Sequence, residues 1–445
     1  MHAGAPASAT RGCAPLPKTR KKLILIVIDG LTPSVLEAAV ETDRVPALRF
    51  LLENGTYARG VSVFPSLTPV CLTSIATGAH PDAHHVPHLV WYHRGEQRII
   101  EYGSSFGALR AAGMARSIRD AIFNMNQQHL SRDVATVYES LEDAGLTAGA
   151  INITCYRGRN RYLPLVPGIG TAAFAPRRFF FYSLFESDPT GAPLAVRNRA
   201  AGSVDAYAAA AGRWLVTRDG FDFLAFYLSD FDFASHAYGP EGALEALERA
   251  DAAVGALLEA AGGPDEFLDR YAVILCSDHG QTPVKHIARL QEAFRRSDHV
   301  IVTASNRAGM VYRLPRCRLE AAELARRLDG ARGIDAVMWR EDDDVVVRRD
   351  GAEERLDGSD LGYPDGVHRI RAALANPNAG EILVSAAPGY EFADLAGRHH
   401  AGGGSHGSLI GGDSEVPVAV VGLDARPPRS ITDIAPLVRS HFGVG

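Results

Sequence analysis

The feature that most constrains this chain is a set of short, largely unbroken apolar runs, three of which lead into carboxylates. Leu23–Ile28, Thr147–Thr154, Phe221–Leu228, Tyr271–Cys276 and Val416–Gly422 are rich in β-branched or aromatic residues. Runs of this kind suit strands covered on both faces, as in a parallel sheet. Amphipathic stretches separate them: Val45–Asn54 before Gly55, Ser131–Asp143 before Gly145, Ala195–Thr217 and Glu241–Ala261. The two glycines read as left-handed helix stops. The alternation predicts an α/β fold: a doubly wound, mostly parallel sheet flanked by helices.

Residues 291–395 break this rhythm. Val300–Thr303, Met310–Leu314, Ala336–Trp339 and Val345–Arg349 read as short strands, with one helix near Leu319–Leu328. The expected organisation is a tail over 1–20, a core over 21–290, a smaller α+β cap insertion over 291–395, and a return to the core over 396–445. A last helix is expected near Ile431–Phe442.

Composition excludes several functions. The net charge is −6 and only four residues are Lys (Lys18, Lys21, Lys22, Lys285), so no global basic field points to nucleic acid. No Gly-rich turn followed by Lys and Ser/Thr exists, which excludes a phosphate-cradling P-loop. Five scattered cysteines without a CxxC argue against a disulfide scaffold or thiolate zinc site. Leu23–Ile28 is shorter than the roughly 7–15 apolar residues of a signal peptide and the ~20 of a membrane span. The expectation is a cytoplasmic chain with a disordered tail and a small phosphorylated partner; oligomeric state is left open.

Chemistry concentrates at the strand ends. Leu23–Ile28 leads into Asp29-Gly30, Phe221–Leu228 into Asp230-Phe231-Asp232, and Tyr271–Cys276 through Ser277 into Asp278-His279-Gly280. Open α/β sheets bind ligands at the carboxyl ends of their strands. A single such Asp is ordinarily a loop-start residue; three of them, two with a nearby His, are not. Asp232 and His236 are spaced i, i+4 and share a face if the segment is helical. His406 sits in the glycine-rich Gly402–Gly407. These six oxygen and nitrogen donors suit two divalent ions, zinc first and manganese as the alternative. Two such ions are a clamp for phosphoryl transfer. Pro69 suits the first helical position of a short helix stopped by Gly78, which would make Thr68 its N-cap and a hydroxyl nucleophile candidate.

In order along the chain stand Asp29, the Phe64–Cys71 loop with Thr68, Thr77-Gly78-Ala79-His80-Pro81-Asp82-Ala83-His84, Asp232 with His236, Asp278-His279-Gly280 and Ser405-His406-Gly407. Each motif is weak alone, but the ordered set over roughly 23–440 resembles the alkaline phosphatase superfamily, and within it the nucleotide pyrophosphatase/phosphodiesterase branch. The resemblance implies one metal held by Asp29, Thr68, Asp278 and His279 and another by Asp232, His236 and His406. It also implies metal-dependent hydrolysis of a phosphodiester or pyrophosphate through a phosphothreonine on Thr68. Two departures stand out. Cys71 occupies the position of a phosphate-contacting Asn, and His85 that of a Gly. The arginines of Arg157-Gly158-Arg159 follow a predicted strand and, with Cys71, are candidate substrate contacts. Alternatives are a phosphomonoesterase or phosphonate hydrolase on the same two-metal site, and a non-catalytic metal- or ligand-binding protein. His80, His84, His85, His88 and His93 read as turn and packing residues.

Overall fold

The first apolar run shows why a covered sheet forms. In β1 (Lys22–Ile28) successive side chains alternate between faces. Leu23, Leu25 and Val27 enter one buried cluster and Ile24, Ile26 and Ile28 another. In this computed structural model residues 20–165, 171–188, 190, 203–328, 330–342, 344–356 and 361–444 are described. The tail before residue 20 and the start of the helix expected from Ala195 lie outside them.

The other strands of the same sheet are β2 (Gly55–Val61), β3 (Ala148–Ile151), β4 (Arg178–Phe181), β5 (Phe185–Glu186), β6 (Phe223–Leu228), β7 (Tyr271–Cys276) and β8 (Glu415–Val421). Their order is β2-β8-β7-β1-β6-β3-β4-β5. The run β7-β1-β6-β3-β4 is parallel. β8 lies antiparallel to both β7 and β2, and β5 antiparallel to β4. Helices Pro33–Val40, Pro46–Glu53, Ser203–Thr217 and Leu244–Ala260 cover one face. Helices Thr68–Thr77, Val137–Asp143 and Ile434–Phe442 cover the other. Register fixes the site's location: Ile28 pairs with Leu228 and Val27 with Cys276. The carboxylates that follow β1, β6 and β7 therefore emerge at one edge.

Three local expectations change. β8 is antiparallel although its apolar run is continuous; continuity reports burial on both faces, not direction. Gly55 opens β2 instead of stopping a helix, whose cap is Asn54 at φ −101°. A Cβ on Gly55 would lie 2.7 Å from the Val420 carbonyl, so close strand approach is what requires glycine there. The helix expected over Ser131–Asp143 begins only at Val137, because Thr136 and Glu139 form a reciprocal capping box.

Within the expected insertion lies a six-stranded antiparallel sheet. Its order is Val300–Ser305, Ala308–Arg313, Ile382–Ala386, Ile334–Glu341, Asp344–Arg349 and Ala352–Arg355. Ile382–Ala386, Ala352–Arg355 and the helix Gly366–Ala375 stand outside the elements expected from the sequence. This sheet is tied to the core by packing: Met310, Tyr312, Met338 and Leu383 share a buried cluster with Phe64 and Trp91. The buried Arg369 guanidinium donates to the Val63 carbonyl at 3.2 Å. Among the described residues no helix is long and apolar enough to cross a membrane.

Ile274 is fully buried in β7 between β1 and β8. Ile274→Ala is expected to cost about 2–5 kcal/mol of folding stability, read as a lower urea midpoint with an unchanged slope.

Candidate active site

Asp29 leaves β1 into a tight turn at Gly30, whose φ is +70°. Glycine is needed there twice over, since a Cβ would lie 2.8 Å from Asp232 Oδ1. The Gly30 N–H donates to Asp278 Oδ1 at 3.2 Å. The Tyr227 hydroxyl, from β6, donates to Asp29 Oδ2. That leaves Asp29 Oδ1 and Asp278 Oδ2 buried without a hydrogen-bond partner. The atom facing both is His279 Nε2, at 3.3 and 3.4 Å.

Asp232 and His236 lie on the helix Asp230–Tyr238, and the i, i+4 spacing brings His236 Nε2 to 3.4 Å from Asp232 Oδ2. His406 Nε2 lies 3.8 Å from Asp232 Oδ1 and its ring stacks on His279 at 3.7 Å. Each of the three histidines has Nδ1 against a backbone carbonyl: Gly280 for His279 at 3.0 Å, Gly404 for His236 at 2.8 Å, and Ser66 for His406 at 2.8 Å. That contact assigns the proton to Nδ1 and leaves an Nε2 lone pair aimed into the site. Burial pushes His236 and His406 down to about 3, so both are neutral near pH 7.

Lone pairs facing carboxylate oxygens repel unless a cation lies between them. Burial, and then the neighbouring Asp278 and Asp232, pushes Asp29 well above the usual carboxylate range. Burial also pushes Asp278 up to about 7. Two groups have ligand atoms within 4.8 Å of one another: Asp29, Asp278 and His279, and Asp232, His279 and His406. The orphaned oxygens and the oriented nitrogens fit divalent ions.

Thr68 is the first residue of the helix Thr68–Thr77, not its cap. The Leu67 carbonyl accepts from the Val70 and Cys71 N–H groups at 2.9 and 3.0 Å, which places the cap one residue earlier. The Thr68 hydroxyl is thereby free of capping and lies 3.1 Å from His279 Nε2. Gly78 ends the helix in the left-handed region at φ +75°.

These residues border a cavity of about 830 Å³. Its lining includes Asp29, Thr68, Asp232, His236 and His406, the apolar Leu89, Ile122, Met125, Phe181, Leu184 and Phe233, and the polar Tyr102, Ser104, Asn306 and His400. Asp230 is turned away and accepts from the Asp205 N–H at 3.0 Å.

Three expected substrate contacts lie elsewhere. Cys71 is fully buried with Sγ 3.2 Å from the Ser62 hydroxyl, because its helix face points into the core. Arg157 pairs with Glu139 at 3.1 Å and donates to the Ser131 carbonyl at 2.8 Å. Arg159 pairs with Glu139 at 2.8 Å and Asp143 at 2.7 Å. Those acids stand one turn apart on the helix Val137–Asp143, which draws both arginines to a separate cleft. His84 and His88 are core residues: His84 contacts Ser74 at 3.1 Å, and His88 Nδ1 accepts from the Val90 N–H at 3.0 Å.

Sequence reasoning missed Tyr227, Gln281 and Asn306 as site neighbours. Gln281 donates to Asp232 Oδ1 and directly follows the Asp278-His279-Gly280 motif, which was a usable signal. His400 stacks on His236 at 4.0 Å, with Nδ1 3.1 Å from the buried Glu391. Asn306 carried only a turn signal between two strands.

A search of curated protein sequences finds no match. Phosphonoacetate hydrolase from Sinorhizobium meliloti, solved with phosphonoformate, superposes at TM-score 0.65 and 19% identity, over 96% of this chain and 97% of that one. Murine ectonucleotide pyrophosphatase / phosphodiesterase 5 superposes at TM-score 0.64 and 15% identity over 96% of each chain. An inactive form of the murine protein in complex with AMP gives TM-score 0.64 at 14% identity, again over 96% of each chain. These likenesses establish the shared fold. The sequence profile described as type I phosphodiesterase / nucleotide pyrophosphatase matches residues 23–409, which include all of the residues assembled above. The chain belongs to that family of metal-dependent hydrolases.

Proposed function

We propose that this chain hydrolyses a phosphodiester or pyrophosphate bond with Thr68 as nucleophile, through a phosphothreonine intermediate. The observation that carries the reading is the Thr68 hydroxyl. It is unclaimed by capping, 3.1 Å from His279 Nε2, and open to the cavity beside two orphaned carboxylate oxygens.

Asp29, Thr68, Asp278 and His279 would hold one divalent ion and Asp232, His236 and His406 the other; their nitrogen and oxygen atoms suit zinc, with manganese the alternative. When bound, such ions lower the pKa of a ligated hydroxyl and offset phosphoryl charge. The positive end of the ten-residue helix Thr68–Thr77 favours an anion at the same place. Thr68 Oγ forms a bond to phosphorus as the bond to the leaving oxygen breaks, and the proton that Thr68 gives up to solvent is matched by one that solvent returns to a departing alkoxide. Water then attacks phosphorus, the P–Oγ bond breaks and Thr68 regains its proton. Two in-line displacements retain configuration at phosphorus.

The apolar lining residues Leu89, Ile122, Met125, Phe181, Leu184 and Phe233 favour a diester carrying an organic arm over a small monoester. Phosphonate hydrolysis is the second reading, favoured by the fold shared with a protein solved in complex with phosphonoacetate. Turnover of matched aryl diesters, monoesters and phosphonates by the zinc-loaded protein separates the two.

Thr68→Ala should abolish turnover of an aryl diester while zinc content, measured by plasma emission, stays near two per chain. Turnover at the wild-type rate would remove Thr68 from the mechanism. Asp232→Asn should lose zinc and activity, and Asp230→Asn should retain both; the opposite ranking would reassign the ligand. Chelation should lower the thermal midpoint and zinc should restore it, because occupancy at about 1,000 times Kd contributes about 4 kcal/mol. A midpoint indifferent to chelator would argue against ions in the buried acidic cluster.

A further inference from the structure

The strand Val300–Ser305 turns into Ala308–Arg313 through Asn306 and Arg307, and this tip reaches the site. Asn306 sits at φ +55°, a conformation that Asn tolerates better than most residues. Arg307 anchors it. The fully buried guanidinium pairs with both Asp413 oxygens at 2.9 and 3.0 Å and donates to the carbonyls of Tyr390 and Ala387, both at 2.9 Å. The Arg307 N–H donates to the His406 carbonyl at 2.8 Å. Asp413 also accepts from the Ser408 N–H at 3.0 Å, and its carbonyl accepts from the Gly280 N–H at 3.0 Å. One buried acid thus ties the hairpin tip to both histidine loops.

The consequence lies at Asn306 Nδ2, which is 2.8 Å from His406 Nε2. His406 carries its proton on Nδ1, facing Ser66, so Nε2 is an acceptor and the amide N–H is its donor. An Nε2 lone pair serves one partner at a time. Once it is given to a metal ion, the Asn306 amide must shift off that line; it has lost its acceptor and still lines the cavity. An anion on that ion is the nearest replacement.

We propose that Asn306 donates a hydrogen bond to a non-bridging phosphoryl oxygen of the substrate, exchanging His406 Nε2 for it when metal binds. The inference rests on the hydrolase reading above and adds a substrate contact supplied by the hairpin. Arg307 acts differently, since it positions Asn306 and touches no substrate.

Asn306→Gly removes the amide and keeps the left-handed backbone accessible; Asn306→Asp keeps the shape and removes the donor. Three measurements on full-length protein decide: zinc affinity by chelator competition, inorganic phosphate affinity of the zinc-loaded protein by calorimetry, and kcat and KM for an aryl diester. The expected result for Asn306→Gly is zinc affinity equal to or above wild type, since a competitor for Nε2 is gone. Phosphate affinity should fall about tenfold or more, and kcat/KM should fall with it. Asn306→Asp should bind phosphate more weakly still, through charge repulsion. Loss of zinc affinity in Asn306→Gly with phosphate affinity unchanged would overturn the proposal and make Asn306 a support for His406. Unchanged affinities for both would overturn it too. A wild-type protein that turns over no phosphorus ester would overturn the hydrolase reading itself, whereas wild-type turnover with a phosphate-indifferent Asn306→Gly defeats the hairpin contact alone.

Discussion

Everything at this edge of the sheet follows from bringing three carboxylates out of water in one place. Asp29, Asp232 and Asp278 follow strands that the parallel register of β1, β6 and β7 sets side by side. At an effective dielectric near 20, two unit charges about 4 Å apart repel by roughly 4 kcal/mol. The fold provides partial relief through the Tyr227 hydroxyl and the Gly30 and His279 N–H groups. It leaves two oxygens unmatched and turns histidine lone pairs toward them. A packed core would not keep such an arrangement for stability, since apolar replacements do better; the arrangement makes sense as a seat for cations.

Distant segments must converge on that seat. The Asp278-His279-Gly280 loop follows β7, the His406 loop precedes β8, and the Asn306 tip comes from the second sheet. The Arg307–Asp413 pair is the point where all three meet. It is fully buried and hydrogen-bonded on both sides, the condition under which a buried ion pair can specify one geometry.

The central strands were legible because burial on both faces leaves no polar alternation, and the strand-end acids because parallel sheets gather ligands at one edge. Strand direction was not legible: β8 carries the same apolar signature while running the other way. Thr68 was placed one residue off because Pro is accepted at either of the first two helical positions, and only the hydrogen bonds to Leu67 decide. Arg157 and Arg159 were misplaced for a different reason. Their partners Glu139 and Asp143 are close in sequence, but nothing in the sequence says that the loop folds back onto that helix. Asn306 was invisible because its importance depends on a turn packed against a loop 100 residues later.

The position of β8 has a consequence for how the molecule is assembled. Among the described residues β2 joins the sheet only through β8, so a ribosome-bound chain ending before residue 415 holds β2 without that sheet partner and β7 with one flank bare. His406 and Asp413 emerge at almost the same moment. Closure of the sheet and completion of the acidic pocket are thus a single late event of synthesis. Until then the early carboxylates remain solvated, and their mutual repulsion is deferred to the step that also supplies the residues that relieve it.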